Sequence, residues 1–452
     1  MTKPSNDLDK YRRMQARAKR DAAAVEQFPA RRDRLKAVRA DGKAPRVAAD
    51  SPDWPDVNKY GVPQRTYRNA RAAIEALGVI CRYDVFHDRK LVGGDVLEEW
   101  AGEFSDAVSA ILRQMIVDRY DFDPGKDNVN DAAIGLCVEN AFDPILDYLN
   151  GLTWDGEDRL GTWLATYLGA ETSTLNSEVG KLVLVSAVRR VRQPGCKFDH
   201  IVTLEGLEGT MKSTAVQVLA AVENFSDQTI LTATDKEQQE LVRGVWIYEI
   251  ADLAGMKRTD VEKIKAFVSR THDRTRPAYG RHRVDAPRRC VFFGTTNDDG
   301  YLKSQTGNRR FWPVRTGTID IDALRRDRDQ LWAQAAAVEA TGLPLILPDA
   351  LWPEARAAQE ERRERDPWED ILSAATGTVY ASDHGDEERI RTSELLKDKL
   401  GISDKEVTTA HALRVKRAMT ALGWRGPKML RFGGRDTKPE RGYCRPANKD
   451  RE

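Results

Sequence analysis

The sequence predicts an α/β protein with a mostly parallel sheet in its middle, a helical region before the sheet and a small basic domain after it. Three observations carry this. After Gly195, short β-type runs alternate with helical segments: His200–Leu204, Val245–Ile250, Arg289–Gly294 and Trp312–Arg315. The first run ends in Gly206 and Gly209 and opens a helix over Lys212–Val222. Upstream, residues 64–180 space their apolar side chains by three and four, the period of a helix face.

Each segment has its own reason. Residues 1–50 are rich in Arg and Ala and poor in large apolar residues, which predicts a basic arm, disordered or a frayed helix. It ends at the breakers Ala44-Pro45 and Ser51-Pro52-Asp53-Trp54-Pro55. Residues 51–195 are expected to form a helical N-terminal domain. Its helices fall over Thr66–Leu77, Val96–Tyr120 and Asn130–Glu139, and a further one starts at Asp143-Pro144 and ends near Gly151. A turn at Trp154-Asp155-Gly156 precedes a helix over Leu160–Leu168. Residues 196–345 form the α/β core, closed by an Ala-rich helix over 324–340. Residues 346–366 read as a helical connector, charged over 353–366.

Residues 367–452 read as a separate winged-helix-like basic domain. Thr392–Leu400 is a short helix that Thr392 can cap. Asp404–Leu422 is a longer one with the stripe Ala412, Val415, Met419 and Leu422, and Arg414 and Arg417 share another face. Gly423–Tyr443 follows as a two-stranded basic wing with a turn at Gly433-Gly434. Helix, turn, helix and wing together point to DNA, with Arg414 and Arg417 as contact residues.

Composition narrows the function classes. The chain has 452 residues, 40% apolar and 32% charged, which describes a folded protein with a heavily charged surface. Its longest apolar run, Leu182–Val188, is core-sized and far below the roughly 20 residues a membrane helix needs. The opening residues MTKPSNDLDKYRR carry no apolar signal segment. Five scattered cysteines argue against a disulfide scaffold and for a reducing, cytoplasmic location. Secreted, membrane and collagen-like proteins are excluded as expectations. The net charge of +1 hides an asymmetry: residues 1–46 hold 14 Lys/Arg against 6 Asp/Glu, and residues 411–452 hold 12 against 4. Two basic ends suggest polyanion contacts.

The chemistry concentrates in IVTLEGLEGTMKSTAVQVLA, residues 201–220. A phosphate-binding loop is a strand, then G-x-x-x-x-G-K-[ST], then a helix; the glycines let backbone N–H groups wrap the phosphates. Gly206, Lys212 and Ser213 stand at that spacing, followed by Thr214. The cradle is Gly206, Glu208, Gly209, Thr210, Met211, Lys212, Ser213 and Thr214. Lys212 is placed to reach the β- and γ-phosphates of ATP, and the Ser213 hydroxyl to bind Mg²⁺. One departure stands out: Met211 occupies the place of the second glycine. In VWIYEI the strand carries Glu249, with Asp252 close behind, a pattern suited to hold Mg²⁺ or polarise the attacking water. The third strand ends in Thr295-Thr296-Asn297, where Asn297 can orient that water. Arg309 and Arg310 follow 12 and 13 positions later as candidate arginine fingers. The six histidines show no metal-ligand spacing.

These pieces in this order resemble the virulence-associated protein E family of phage and mobile-element ATPases, related to superfamily 3 helicases. The stretches that carry the resemblance are FDPILDYLNGLTWDGEDRL (142–160), PGCKFDHIVTLEG (194–206), KSTAVQVLA (212–220), WIYEIADLAGMKRTDVEKIKAFVSRTHDRTRPAYGR (246–281) and RRCVFFGTTNDDGYLKSQTGNRRFWPV (288–314). The resemblance implies a P-loop ATPase core with an AAA+-like sheet of superfamily 3 type. It also implies a homo-oligomer, expected as a hexameric ring, and DNA as partner.

Superfamily 3 helicases place a channel-lining β-hairpin between their second and third strands. Here Arg276-Pro277-Ala278-Tyr279-Gly280-Arg281-His282-Arg283 is similar to it, inside a segment that also holds Lys263, Lys265, Arg270, Arg274, Arg288 and Arg289. Arg276, Arg281, His282 and Arg283 suit a phosphate backbone and Tyr279 suits base stacking, so single-stranded or forked DNA is expected there. The leading expectation is a DNA-dependent ATPase, a ring-forming replicative helicase of a phage or mobile element. Two alternatives remain at this point: an ATP-switched initiator or regulator that does not unwind, and an ATPase effector in phage defence.

Overall fold

The computed structural model describes residues 52–275, 284–303, 307–364, 366–381, 385–403, 405–433 and 437–447. They divide into two compact units. Of these described residues, one unit takes those within 52–253, 263–297 and 310–355, and the other those within 254–262, 298–309 and 356–447.

In the first unit, helix α1 (Tyr67–Ala76) begins where the Thr66 hydroxyl accepts from the Asn69 N–H at 3.3 Å. The chain then departs from the helical expectation for residues 51–195. Strands β1 (Ile80–Asp84) and β2 (Arg89–Gly93) pair antiparallel. Asp84 makes the turn, its Oδ1 accepting from the N–H of Phe86 and of His87 at 3.0 Å each. β3 (Gly102–Glu103) lies beside β2, and β4 (Ala141–Phe142) pairs parallel with β1, so the sheet order is β3-β2-β1-β4. This region is therefore mixed α/β.

The single helix expected over Val96–Tyr120 is also interrupted. Asp95–Trp100 is a 3₁₀ helix. Gly102 continues at φ 145°, a conformation glycine tolerates and others avoid, and α2 (Asp106–Tyr120) restarts where Ser105 Oγ accepts from the Val108 N–H. α3 (Lys126–Glu139) completes the layer. The core beneath it is Ile74, Leu97, Leu112, Ile116, Val129 and Ala133.

Asp143 then caps α4 (Pro144–Gly151), accepting from the N–H of Ile145 and Leu146, with Pro144 in the first turn. α5 (Trp163–Leu168) leads to α6 (Thr174–Arg192), which buries the whole run Leu182–Val188. The core continues through β5 (Ile201–Glu205), α7 (Lys212–Ala220), β6 (Phe225–Ser226), α8 (Asp235–Val242), β7 (Ile247–Ile250) and α9 (Arg258–Val268). Next come β8 (His272–Thr275), β9 (Val284–Pro287), β10 (Val291–Thr296), β11 (Phe311–Arg315) and α10 (Ile321–Ala340).

The core sheet has the order β11-β5-β10-β7-β6, and every neighbouring pair is parallel. Its central strands β5, β7 and β10 are buried along their full length, which is why they read as near-continuous apolar runs. Two tryptophans tie helices to the sheet. Trp246 Nε1 donates to Ala187 O and Trp332 Nε1 to Leu219 O, each at 3.0 Å, and the two rings stack at 4.2 Å. Arg189 and Arg192 of α6 both pair with Glu339 of α10. The N-terminal sheet is fastened to this core through buried His87. Its Nδ1 lies 2.7 Å from Asp84 Oδ2 and its Nε2 2.9 Å from Asn224 Oδ1.

α11 (Trp352–Glu361) is shorter than the helix expected over 353–366. In the second unit, α12 (Pro367–Ser373), β12 (Thr378–Tyr380) and β13 (Glu387–Arg391) precede a helical turn, Thr392–Glu394, that continues as a π-helix over Leu395–Lys399. α13 (Thr409–Ala421), β14 (Arg425–Leu430) and β15 (Glu440–Pro446) follow. The expected two-stranded wing is half of a four-stranded antiparallel sheet of order β12-β13-β15-β14. Its core gathers Leu372, Ile390, Leu395, Val415, Met419, Trp424 and Tyr443. Among the described residues no helix is long and apolar enough to cross a membrane.

Candidate functional site

The carboxyl end of β5 opens into the loop 206–211, which turns into the amino end of α7. Backbone geometry explains its composition. Gly206 sits at φ 158°, and a Cβ there would lie 2.7 Å from Thr316 Oγ1, the hydroxyl that donates to Glu205 O. Gly209 is at φ 77° and Met211 at φ 68°. The methionine thus takes the left-handed conformation that a glycine normally supplies at this place. Thr210 Oγ1 donates to Leu207 O at 2.8 Å and closes the turn, while Glu208 is exposed at its tip.

Lys212 is only 6% exposed. Its ammonium donates to Gly206 O at 2.7 Å, Leu207 O at 2.8 Å and Asn297 Oδ1 at 3.0 Å, so it lies in the mouth of the loop. Burial pulls its pKa below the usual lysine range, with Glu208 and Glu249 acting the other way. Ser213 Oγ donates to Glu249 Oε1 at 2.6 Å. Glu249 is 1% exposed on β7, and Thr295 of β10 donates to the same Oε1 at 2.6 Å. Glu249 Oε2 is buried and has no hydrogen-bond partner. Burial pushes this carboxyl above the usual range, and the two hydroxyls partly offset it.

Four of the predicted residues, Lys212, Ser213, Glu249 and Asn297, therefore meet at the carboxyl ends of three adjacent strands. The strand order explains why: β10, which Asn297 directly follows, lies between β5 and β7. The loop fits a polyphosphate, because a side chain at Gly206 would fill the cradle. The orphaned Glu249 oxygen and the Ser213 hydroxyl fit a hard cation or its water, both being oxygen donors. Thr214 is half-buried in the first turn of α7. Asp252, exposed at φ 51°, makes none of these contacts.

Comparison with known proteins bears on the family and the fold. The family model of the virulence-associated protein E-like domain matches residues 149–365. This part of the chain, just under half of its length, is similar to that domain. Among solved structures, the apo C-terminal region of NrS-1 is similar in fold, at 10% identity, covering 84% of this chain and 99% of that chain with a TM-score of 0.50. SCCmec type IV Cch, described as an active helicase, aligns at 11% identity over 81% of this chain and 92% of that chain, with a TM-score of 0.33. No curated protein matches the chain.

Within the matched region the two arginines differ. Arg310 is held within its own chain, its Nε 3.2 Å from Asp199 Oδ2 and 2.9 Å from Ser269 Oγ. It precedes the amino end of β11, which pairs in register with β5 from Phe311 opposite Ile201 to Arg315 opposite Glu205. Five residues at about 3.3 Å each put it roughly 16 Å from the loop end of the sheet. Arg309 is exposed.

The basic segment is described only in part. Arg276, Tyr279, Arg281, His282 and Arg283 lie outside the described residues; the strands that flank them, β8 and β9, pair antiparallel as a hairpin requires. The other cations counted there are largely neutralised. Arg288 is fully buried and forks onto Asp273 at 2.6 and 2.9 Å. Arg289 pairs with Asp143, Arg270 with Asp235 and Arg274 with Asp285. Lys265 is 4% exposed. In the second unit Arg414 forks onto Asp366 and lies 4.1 Å over the Trp368 ring, so its guanidinium is engaged inside the domain; Arg417 is half-buried. Hydropathy and charge counts cannot see such pairing, because the partners are up to 146 residues away.

The residue that sequence reading passed over is Thr295. The run RCVFFGTT shows a strand, and alternation along it puts Thr295 on the face of Phe293. That parity would have placed a hydroxyl beside Glu249 had the strand order been known.

Proposed function

We propose that this chain is a DNA-dependent ATPase that works as a ring-forming helicase of a phage or mobile element. The observation that supports it best is the convergence of Lys212, Ser213, Glu249 and Asn297 at one end of a parallel sheet whose water-positioning strand is inserted between the other two. Bound Mg²⁺-ATP supplies the transferable phosphoryl group and the cation charge. Lys212 holds the phosphates once it exchanges the carbonyls of Gly206 and Leu207 for them. Ser213 would hold the metal. Glu249 orients the water through its free Oε2 and takes its proton, and Asn297 fixes the water from the adjacent strand. Arg309 of a neighbouring subunit is the finger that completes the site, since Arg310 is engaged within its own subunit.

DNA contact is assigned to residues 276–283 for the single strand. The order β13, two helices, β14, β15, with β15 between β13 and β14, supports a winged helix in the second unit. Its exposed cations Lys416, Arg425, Lys428 and Arg441 are better placed for DNA than Arg414. The test is hydrolysis with and without single-stranded DNA. Lys212→Ala should abolish turnover while melting stays within a few degrees of wild type, and Glu249→Gln should bind ATP without turning it over. Full turnover in folded Lys212→Ala protein sinks the assignment. Strand displacement on a forked duplex separates a helicase from an ATP-switched binder.

A further inference from the structure

Glu249 is the group on which the proposed reaction turns, and a buried carboxylate with three rotatable bonds does not point anywhere by itself. Ordering a glutamate side chain costs about 1.5–2 kcal/mol of rotamer freedom. Two hydroxyls hold it here, and both donate to one oxygen: Ser213 Oγ and Thr295 Oγ1 each lie 2.6 Å from Oε1. A carboxylate oxygen has two lone pairs, so Oε1 is saturated and Oε2 is the only oxygen left to act. That oxygen is buried without a partner.

The two donors are not equivalent. Ser213 is exposed in the first turn of α7, next to the phosphate loop, and belongs to the nucleotide. Thr295 is 6% exposed on the central strand β10. Its β-branched side chain is stiff at χ1, and its backbone pairs with Leu204 of β5, one residue beyond the last β10–β7 pair, Gly294 opposite Ile250. The register Phe293 opposite Glu249 places Thr295, two residues on, on the same sheet face as the carboxylate. The next residue but one is Asn297. One strand thus carries both the water-orienting amide and the hydroxyl that aims the carboxylate.

We propose that Thr295 is a positioning residue for hydrolysis: its hydroxyl saturates Oε1 of Glu249 and so turns Oε2 toward the reacting water. The inference rests on the ATPase reading above and adds a residue to it. A charge-assisted bond of this kind contributes more than a neutral one, and losing the alignment of a catalytic group by about 1 Å costs on the order of 100-fold in rate.

The experiment compares Thr295→Val, which keeps the shape and removes the O–H, with Thr295→Ser, which keeps the O–H. In the full chain we measure kcat, KM, the ATP dissociation constant by equilibrium dialysis, and the melting temperature. Thr295→Val should lose about 10- to 100-fold in kcat while KM and ATP affinity stay within about threefold. Thr295→Ser should recover to within about threefold of wild type. If Thr295→Val does not fold, Thr295→Ala is read in the same way. Wild-type kcat in the valine or alanine variant overturns the proposal. So does equal impairment of the serine and valine variants, or loss of ATP affinity in step with kcat. Wild type and Glu249→Gln, run alongside, separate the levels: no hydrolysis by the wild-type chain removes the ATPase reading itself, full hydrolysis in Glu249→Gln removes the role of Glu249 and with it that of Thr295, and a dead Glu249→Gln beside a fully active Thr295→Val removes only the role of Thr295.

Discussion

Replacing Met211 by glycine tests the phosphate loop most directly. Met211 sits at φ 68° and ψ 24°, the left-handed region, and caps α7 without a side-chain hydrogen bond. An L residue there costs about 1–2 kcal/mol relative to glycine. Glycine gives back about 0.5–1 kcal/mol through the larger entropy of its unfolded chain. The net gain for Met211→Gly therefore lies between about zero and about 1.5 kcal/mol, or at most roughly 3–6 °C in melting temperature for a domain of this size. Met211→Ala keeps the strain and loses the side chain, so it should melt below wild type. The glycine variant should thus exceed the alanine variant by about 1 kcal/mol, the reverse of their order in a right-handed helix. ATP affinity should change less than about twofold, because the loop already holds this conformation with Lys212 in place. The assay is thermal unfolding without nucleotide, paired with equilibrium ATP binding. Alanine melting at or above glycine would refute the left-handed assignment. A large gain in ATP affinity for glycine would show instead that the loop reaches this conformation only with nucleotide bound.

Two further outcomes follow from the charge network. Arg288→Ala leaves buried Asp273 with only the distant Arg270 guanidinium, 3.9 Å away, which should cost up to about 3–5 kcal/mol, whereas Arg288→Met combined with Asp273→Leu should recover much of it; chemical denaturation decides, and an Arg288→Ala protein of wild-type stability would return this arginine to the DNA surface. Arg310→Ala should lower stability through the loss of Asp199 and Ser269, while Arg309→Ala should melt like wild type and lose hydrolysis. Mixing Arg309→Ala with Lys212→Ala should restore part of the activity. A strictly monomeric mass under ATP, with no restored activity in the mixture, would remove the shared site.

Much of the core was legible because its signals are local. A buried parallel strand must be apolar on both faces, so β5, β7 and β10 stand out as short runs, and the phosphate loop must carry glycine where a Cβ would strike Thr316. Lys212 and Ser213 are proposed from their place where the loop after β5 opens α7, and Glu249 and Asn297 from their places near the ends of apolar runs, with no knowledge of what lies beside them. The N-terminal sheet was not legible. β1 and β2 are five residues each, β3 and β4 two each, and strands that short carry too few alternations to outweigh the helical spacing around them.

What only the tertiary structure decided is which charges are free and which hydroxyl meets Glu249. The sequence by itself determined that nine cations stand between residues 263 and 289. Folding then paired Arg270, Arg274, Arg288 and Arg289 with Asp235, Asp285, Asp273 and Asp143, and brought Thr295 to a carboxylate 46 residues away. The physical reason is range. Backbone preference and burial periodicity act between near neighbours in the chain, whereas an ion pair or a hydrogen bond depends on distance in space, which the order of strands in the sheet sets.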